Sequence, residues 1–217
     1  RYAGWKPWSG SWTEFGIDYA MPNTTKKQDS YGGLYDAENG VMLTGEISQD
    51  MLGGYNKTVL QYANKGLAQN MVSQGGGWYD MWNYVNDATG YRVINTGLIP
   101  ITEKFSINHV LTWDYTDKTR MLSLVARGQY QFTDYVRLIG EVGGFYQKDS
   151  YNNGTSYKQA GEKYTIALGL ADGPDFMSRP ELRIFASYLN DSEDGKPFED
   201  QTANNTWNFG VQVEAWW

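Results

Sequence analysis

The chain has 217 residues, 41% of them hydrophobic and 16% aromatic, enough for one domain with a substantial interior. Its formal net charge is −7, and no cluster of basic residues is present to neutralise phosphates, so nucleic acid is not an expected partner. Mean hydropathy is −0.59, and no stretch approaches the roughly 18–20 apolar residues of a membrane helix, a test that strands apolar only on alternate residues escape.

The opening residues Arg1–Trp5 read as the middle of a strand, which leads us to expect a preceding segment. Segments of alternating character follow at Trp12–Met21, Val41–Gln49, Tyr55–Ala63, Arg92–Ile101, Phe105–Tyr115, Met121–Phe132, Tyr135–Gln147, Lys163–Ala171, Glu181–Leu189 and Trp207–Trp217. With the opening stub this makes about 11 strands, most near the ~9–11 residues that cross a bilayer at a tilt, where soluble strands average about 5–6. Asp50–Gly54 and Thr133-Asp134 read as short turns. Asn23–Gly40, Lys65–Tyr91, Lys148–Glu162 and Asn190–Thr206 read as long loops rich in Gly, Asn and Asp. Short turns on one rim and long loops on the other predict an all-β chain, a transmembrane antiparallel β-barrel. No composition break divides residues 1–217, which read as the C-terminal part of a single barrel domain. About 11 strands do not close tidily, and an open edge in hydrocarbon costs several kcal/mol per unsatisfied backbone group, so further strands are expected from a missing segment.

The last strand carries the orientation argument. Trp207, Phe209, Val211, Val213, Ala215 and Trp217 share one face, and Asn208, Gly210, Gln212, Glu214 and Trp216 the other. Leu182, Ile184, Ala186 and Tyr188 oppose Glu181, Arg183, Phe185 and Ser187; Val136, Leu138, Gly140 and Val142 oppose Arg137, Ile139, Glu141 and Gly143. The apolar set is predicted to face lipid, and the polar set a hydrated interior.

Little here reads as enzyme chemistry, and no catalytic residue, metal site or cofactor is expected. His109 is the only histidine and cysteine is absent. No nucleophile elbow or metal-ligand spacing accompanies His109, which reads as a lining or interface residue. Asp172-Gly173-Pro174-Asp175 and Asn152-Asn153-Gly154 read as turns. Trp78, Tyr79, Trp82 and Tyr84 fall in one long loop, where packing is the preferred reading over contact with an arriving solute.

Four stretches carry a family resemblance: Trp207–Trp217, Trp12–Tyr19, Gly53-Gly54-Tyr55-Asn56-Lys57 with Leu60–Ala63, and Ser178-Arg179-Pro180 running into Glu181–Tyr188. In chain order, along essentially the whole chain, they resemble the C-terminal half of the maltoporin family of outer-membrane sugar porins, which includes sucrose and aryl-β-glucoside porins. The resemblance implies a barrel of about 18 strands, a homotrimer in the bacterial outer membrane in contact with its lipid, and passive diffusion of oligosaccharides. It also implies a lengthwise aromatic stripe, onto which Tyr55, Met177 and Trp216 map; Met177 stands where the maltoporin pattern has tryptophan. Flat aromatic rings stack on the apolar face of a sugar, and a row of weak sites passes it along. The alternation independently puts Trp216 on the face opposite Trp207 and Trp217. It places Lys57, Arg127, Glu141, Arg183 and Glu214 toward the interior, where Arg127, Arg183 and Glu214 are candidates to bond sugar hydroxyls, though any water-filled barrel has a charged lining. The preferred sugar stays open between maltodextrins, sucrose and β-glucosides. A general diffusion porin without sugar preference and a soluble carbohydrate-binding β-module are the alternatives.

Overall fold

The computed structural model describes residues 1–21, 38–72, 88–150, 154–191 and 205–215, and of 69–72 the backbone alone. The strands are β1 (Tyr2–Trp5), β2 (Ser11–Ala20), β3 (Gly40–Met51), β4 (Gly54–Asn64), β5 (Thr89–Pro100), β6 (Phe105–Thr116), β7 (Thr119–Gln131), β8 (Val136–Ser150), β9 (Ser156–Ala171), β10 (Glu181–Asp191) and β11 (Asn205–Glu214), with one helix among the described residues, α1 (Lys65–Val72). They form a single sheet in sequence order, β1 to β11. The pairs β1–β2, β2–β3, β8–β9, β9–β10 and β10–β11 are antiparallel. The about 11 strands expected from the sequence are thus present, and β1 and β11 end the order among the described residues.

The strands have an apolar exposed face and a polar buried one. Ile17, Ile184, Phe209, Val211 and Val213 are 58–72% exposed, whereas Arg137, Glu181 and Ser187 are each 1% exposed. The buried apolar side chains among the described residues are five alanines and one isoleucine, Ile139. A water-soluble domain has the opposite distribution, because burying large apolar side chains drives its folding. The register keeps the two sets apart: Ile184 lies between Leu168 of β9 and Val211 of β11, and Ser187 between Thr165 and Asn208.

Threonines close three of the hairpins. The hydroxyl of Thr102 accepts from the amides of Lys104 and Phe105, that of Thr116 from Lys118 and Thr119, and that of Thr133 from Tyr135 and Val136. Each satisfies amides that the ladder leaves over at a turn. The β3–β4 connection is a two-residue turn with positive φ at both Leu52 (52°) and Gly53 (78°). This matches the turn whose twist suits a hairpin and which favours Asn-Gly. Leucine pays about 1–2 kcal/mol for a left-handed conformation. Leu52→Asn is therefore expected to stabilise the fold by up to about 1 kcal/mol, read as a higher urea midpoint for unfolding in detergent, with Leu52→Val moving the midpoint down.

The structure corrects the expected element boundaries in three places. The loop expected over Lys148–Glu162 is largely strand: β8 runs to Ser150 and β9 starts at Ser156, with Lys148 opposite Lys158 and Ser150 opposite Ser156. These ends are polar on both faces, so apolar alternation fades although the ladder continues. Sixteen residues in β9 span about 50 Å, well beyond a hydrocarbon layer of about 30 Å, so hydrated strand ends are the physical outcome. The loop expected over Lys65–Tyr91 begins with α1, which starts where Lys65 turns left-handed (φ 55°) and donates its amide to Ala88. Ala68 packs there with Ala63, Met42, Leu67 and Ala88. Trp78, Tyr79, Trp82 and Tyr84 lie outside the described residues. Connection lengths also break the expected alternation of rims: β6 and β7 are joined by two residues, Asp117 and Lys118, while β9 and β10 are joined by nine, 172–180.

The chain contacts divide into two units, one of Arg1–Gln49, Lys57–Ile94 and Thr112–Met121, the other of Asp50–Asn56, Asn95–Leu111 and Leu122–Trp217. No helix among the described residues is long and apolar enough to cross a membrane, which has no bearing on strands.

Candidate functional site

Alternate positions on paired strands stand side by side, so charges on one face meet across the ladder. In the first unit Arg1 pairs with Glu14, Glu14 stands opposite Glu46, and Lys57 Nζ lies 2.7 Å from Glu46. On the same face Arg92 pairs with the fully covered Asp114. Gln61 donates to the Thr44 hydroxyl at 3.1 Å. In the second unit Arg127 donates twice to one oxygen of Glu141, at 2.9 and 2.6 Å, and Lys163 lies 3.9 Å from the other. The polar face is a mosaic of paired charges.

The densest part of that mosaic belongs to the second unit. Glu181, at the start of β10, is completely covered; it accepts two bonds from Arg183 (2.6 and 3.0 Å), sits 3.0 Å from Arg179 and 3.9 Å from Arg137. Glu214 of β11 receives Arg179 and Arg183 at 2.9 and 3.0 Å. Three guanidinium groups thus share two carboxylates. A buried carboxylate survives without water only when so surrounded. Arg137, from β8, has its far end over the β9–β10 turn. It donates to the carbonyls of Gly173 (2.7 Å), Asp175 (3.2 Å) and Phe176 (3.4 Å), and to the side-chain oxygen of Gln129 (3.3 Å). Gly169 makes the crossing possible: a Cβ there would stand 2.9 Å from both Arg137 Cγ and Glu181 Oε1.

The residues singled out from the sequence fall in different places. Met177 lies in the β9–β10 turn, 48% exposed, and the carbonyl of its neighbour Phe176 accepts from Arg179, which also pairs with Glu214 beside Arg183. Arg127 belongs to the separate Glu141 pair. Tyr55 follows the β3–β4 turn, half-buried, and shares by alternation the face of Lys57 and Gln61. Trp216 lies outside the described residues. His109 alternates with Ile107, Leu111 and Trp113 on the apolar face of β6, where its Nε2 bonds the side-chain oxygen of Asn95 at 2.8 Å and Asn95 bonds Asn56. It is therefore not on the face that carries the paired charges. Sequence reasoning missed Arg137, Arg179 and Glu181 as a group. Alternation already put Arg137 and Glu181 on the polar face, but only the register brings them together. Among the described residues no group of three or more His, Asp or Glu side chains is placed to hold a metal.

Comparison with known proteins adds relatives that cover the whole chain. The model of the LamB porin family matches residues 1–217. Maltoporin 1 of Klebsiella pneumoniae subsp. pneumoniae is 96% identical over 224 aligned positions, which take in 100% of this chain and 53% of that protein. Maltoporin 2 of Yersinia pestis (strain Pestoides F) is 79% identical over 100% of this chain and 54% of its own length. Maltoporin 1 of Aeromonas salmonicida is 54% identical over 100% and 53%. The chain spans about half the length of the curated relatives it matches.

Proposed function

Because this chain belongs to the LamB porin family, we propose that it is part of one outer-membrane β-barrel domain through which oligosaccharides, maltodextrins first among them, diffuse passively. Strands from the part of the relatives' length that this chain does not cover close the barrel, and the protein works as a homotrimer in contact with outer-membrane lipid. It is a channel, not an enzyme. The observation that carries this reading is the inverted side-chain distribution: large apolar residues exposed, arginines and carboxylates covered. That surface suits hydrocarbon outside and water inside, and it argues against a soluble carbohydrate-binding module.

Tyr55, Met177 and Trp216 are proposed as the contacts for the apolar face of the sugar. Arg127, Arg183 and Glu214 are proposed to exchange hydrogen bonds with its hydroxyls. Each of these charged groups already holds a partner, and such pre-paired groups offer their remaining N–H and lone-pair positions without the cost of a bare charge. Sites of this kind bind weakly enough for a sugar to leave. Single-channel currents through the full-length protein, titrated with maltodextrins, sucrose and a β-glucoside, test the reading. Concentration-dependent interruption by maltodextrin is expected; indifference to all three leaves a general diffusion porin, the reading that methionine in place of an aromatic at position 177 favours.

Met177→Trp restores a flat ring at the exposed turn. An aromatic surface adds about 1–1.5 kcal/mol of contact, so the dissociation constant for maltodextrin block should fall about tenfold, with longer blocking events. Unchanged block would remove position 177 from the sugar path.

A further inference from the structure

The nine-residue β9–β10 connection is held in an unusual way. A connection of that length on a barrel rim has many conformations open to it, and its own amides make only two backbone bonds that fold it: Asp172 to the Pro180 carbonyl (3.1 Å) and Ser178 to the Asp175 carbonyl (2.9 Å). Guanidinium groups add further bonds to its carbonyls. Arg137 takes the carbonyls of Gly173, Asp175 and Phe176; Arg179 takes those of Ser178 (2.8 Å) and Phe176 (3.4 Å) while pairing with Glu181 and Glu214. The carbonyls on both sides of Met177 are therefore anchored, and the Met177 side chain itself remains half exposed. A fixed backbone under an exposed, flexible side chain is the arrangement of a presented contact.

We propose that Arg137 is a positioning residue for sugar passage: it pins the β9–β10 turn that presents the exposed Met177. This rests on the sugar-channel reading and adds to it a residue that cannot itself meet the sugar, since Arg137 is 1% exposed. Its planar group spreads donors over three turn carbonyls at once, which an ammonium or amide does not reproduce. Glu181 and Gln129 fix the guanidinium from the other side, at 3.9 and 3.3 Å. Loosening the turn spreads Met177 over many orientations, and the loss is felt as faster escape of bound sugar.

The test is a double-mutant cycle on the full-length channel in planar bilayers, with block by maltohexaose as the readout. Arg137→Gln is expected to weaken block about fivefold, mainly through the off-rate, while open-channel conductance stays within about 20% of the wild type. Arg137→Lys should recover part of the loss. In a Met177→Ala background the same Arg137→Gln change should alter block less than about twofold, because the contact it positions is gone. If Arg137→Gln does not assemble, Gln129→Leu, which removes one anchor of the guanidinium, is expected to give a smaller weakening that again vanishes with Met177→Ala. Equal weakening in both backgrounds, or none in either, overturns the positioning role. A wild-type channel that maltohexaose does not block overturns the sugar reading instead.

Discussion

Glu181→Ala should destabilise the folded protein by about 3–5 kcal/mol, the range for removing one member of a buried ion-pair group. Glu181 has no exposed side-chain surface, and Arg183, Arg179 and Arg137 converge on it at 2.6, 3.0 and 3.9 Å. Its loss leaves Glu214 alone to pair with Arg179 and Arg183, and removes the carboxylate beside the buried Arg137. The cluster's formal charge rises from +1 to +2. Glu181→Gln keeps the volume and one acceptor and should fall between alanine and the wild type. The comparison that gives the number meaning is Glu141→Ala. Glu141 also pairs with an arginine, but the side chains of Arg127 and Glu141 are 30% and 15% exposed, so water repairs much of the damage and the cost should stay near 1 kcal/mol. Urea unfolding in detergent, followed by the gel mobility of the folded form, measures all three. A Glu181→Ala protein no weaker than Glu141→Ala would show that the cluster adds little to stability.

What the sequence makes legible is set by the range of the forces involved. Alternation is a local property, and it identified the faces of β8, β10 and β11 and ten of the strand cores. It does so because a side chain's face is fixed by its own backbone. The same locality explains the misplaced ends of β8 and β9: Lys148 and Lys158 are held in the sheet by their partners across the ladder, and no apolar pattern marks a strand that stands in water. The proposed site was legible only in part. Alternation put Arg183 and Glu214 at polar positions on strands, and the resemblance singled out Met177 before Ser178-Arg179-Pro180; contact with sugar is proposed for all three. The link from Arg137 to the turn that carries Met177 spans nearly forty positions, with Arg137 opposite Gly169 and Gly169 opposite Arg183. It depends on registers that no single segment encodes, and on a glycine at 169 whose missing side chain makes room. His109 shows the converse. Its chemistry suggested a lining or interface position; its parity with Ile107 and Leu111 puts it on the apolar face, where it bonds Asn95, which in turn bonds Asn56.

Gly54→Ala should cost about 3–5 kcal/mol, well above the about 1–2 kcal/mol expected for Gly53→Ala beside it. The two glycines, one ending the turn and one opening β4, are needed for different reasons. Gly53 has φ of 78°, a conformation an alanine tolerates at a modest penalty. Gly54 has no positive φ to protect; what it lacks is space. A Cβ there would stand 1.8 Å from the carbonyl oxygen of Leu98 and 3.0 Å from Pro100 Cδ. Leu98 belongs to β5, so its oxygen cannot swing aside as a side chain would. Relief requires the start of β4 to move away from β5 by more than an ångström, and the ladder bonds at that end are lost with it, each leaving polar groups unsatisfied. The displacement also reaches Tyr55, the next residue, which is proposed to touch sugar. Loss of stability in Gly54→Ala should therefore come with weakened maltodextrin block in whatever fraction folds, whereas Gly53→Ala should lower stability with block nearly unchanged. Folding yield into detergent micelles and block by maltohexaose separate the two. Equal costs for the two substitutions would mean that the approach of β4 to Leu98 is not a packing constraint, and the Gly53-Gly54 pair would then reduce to a turn signal alone.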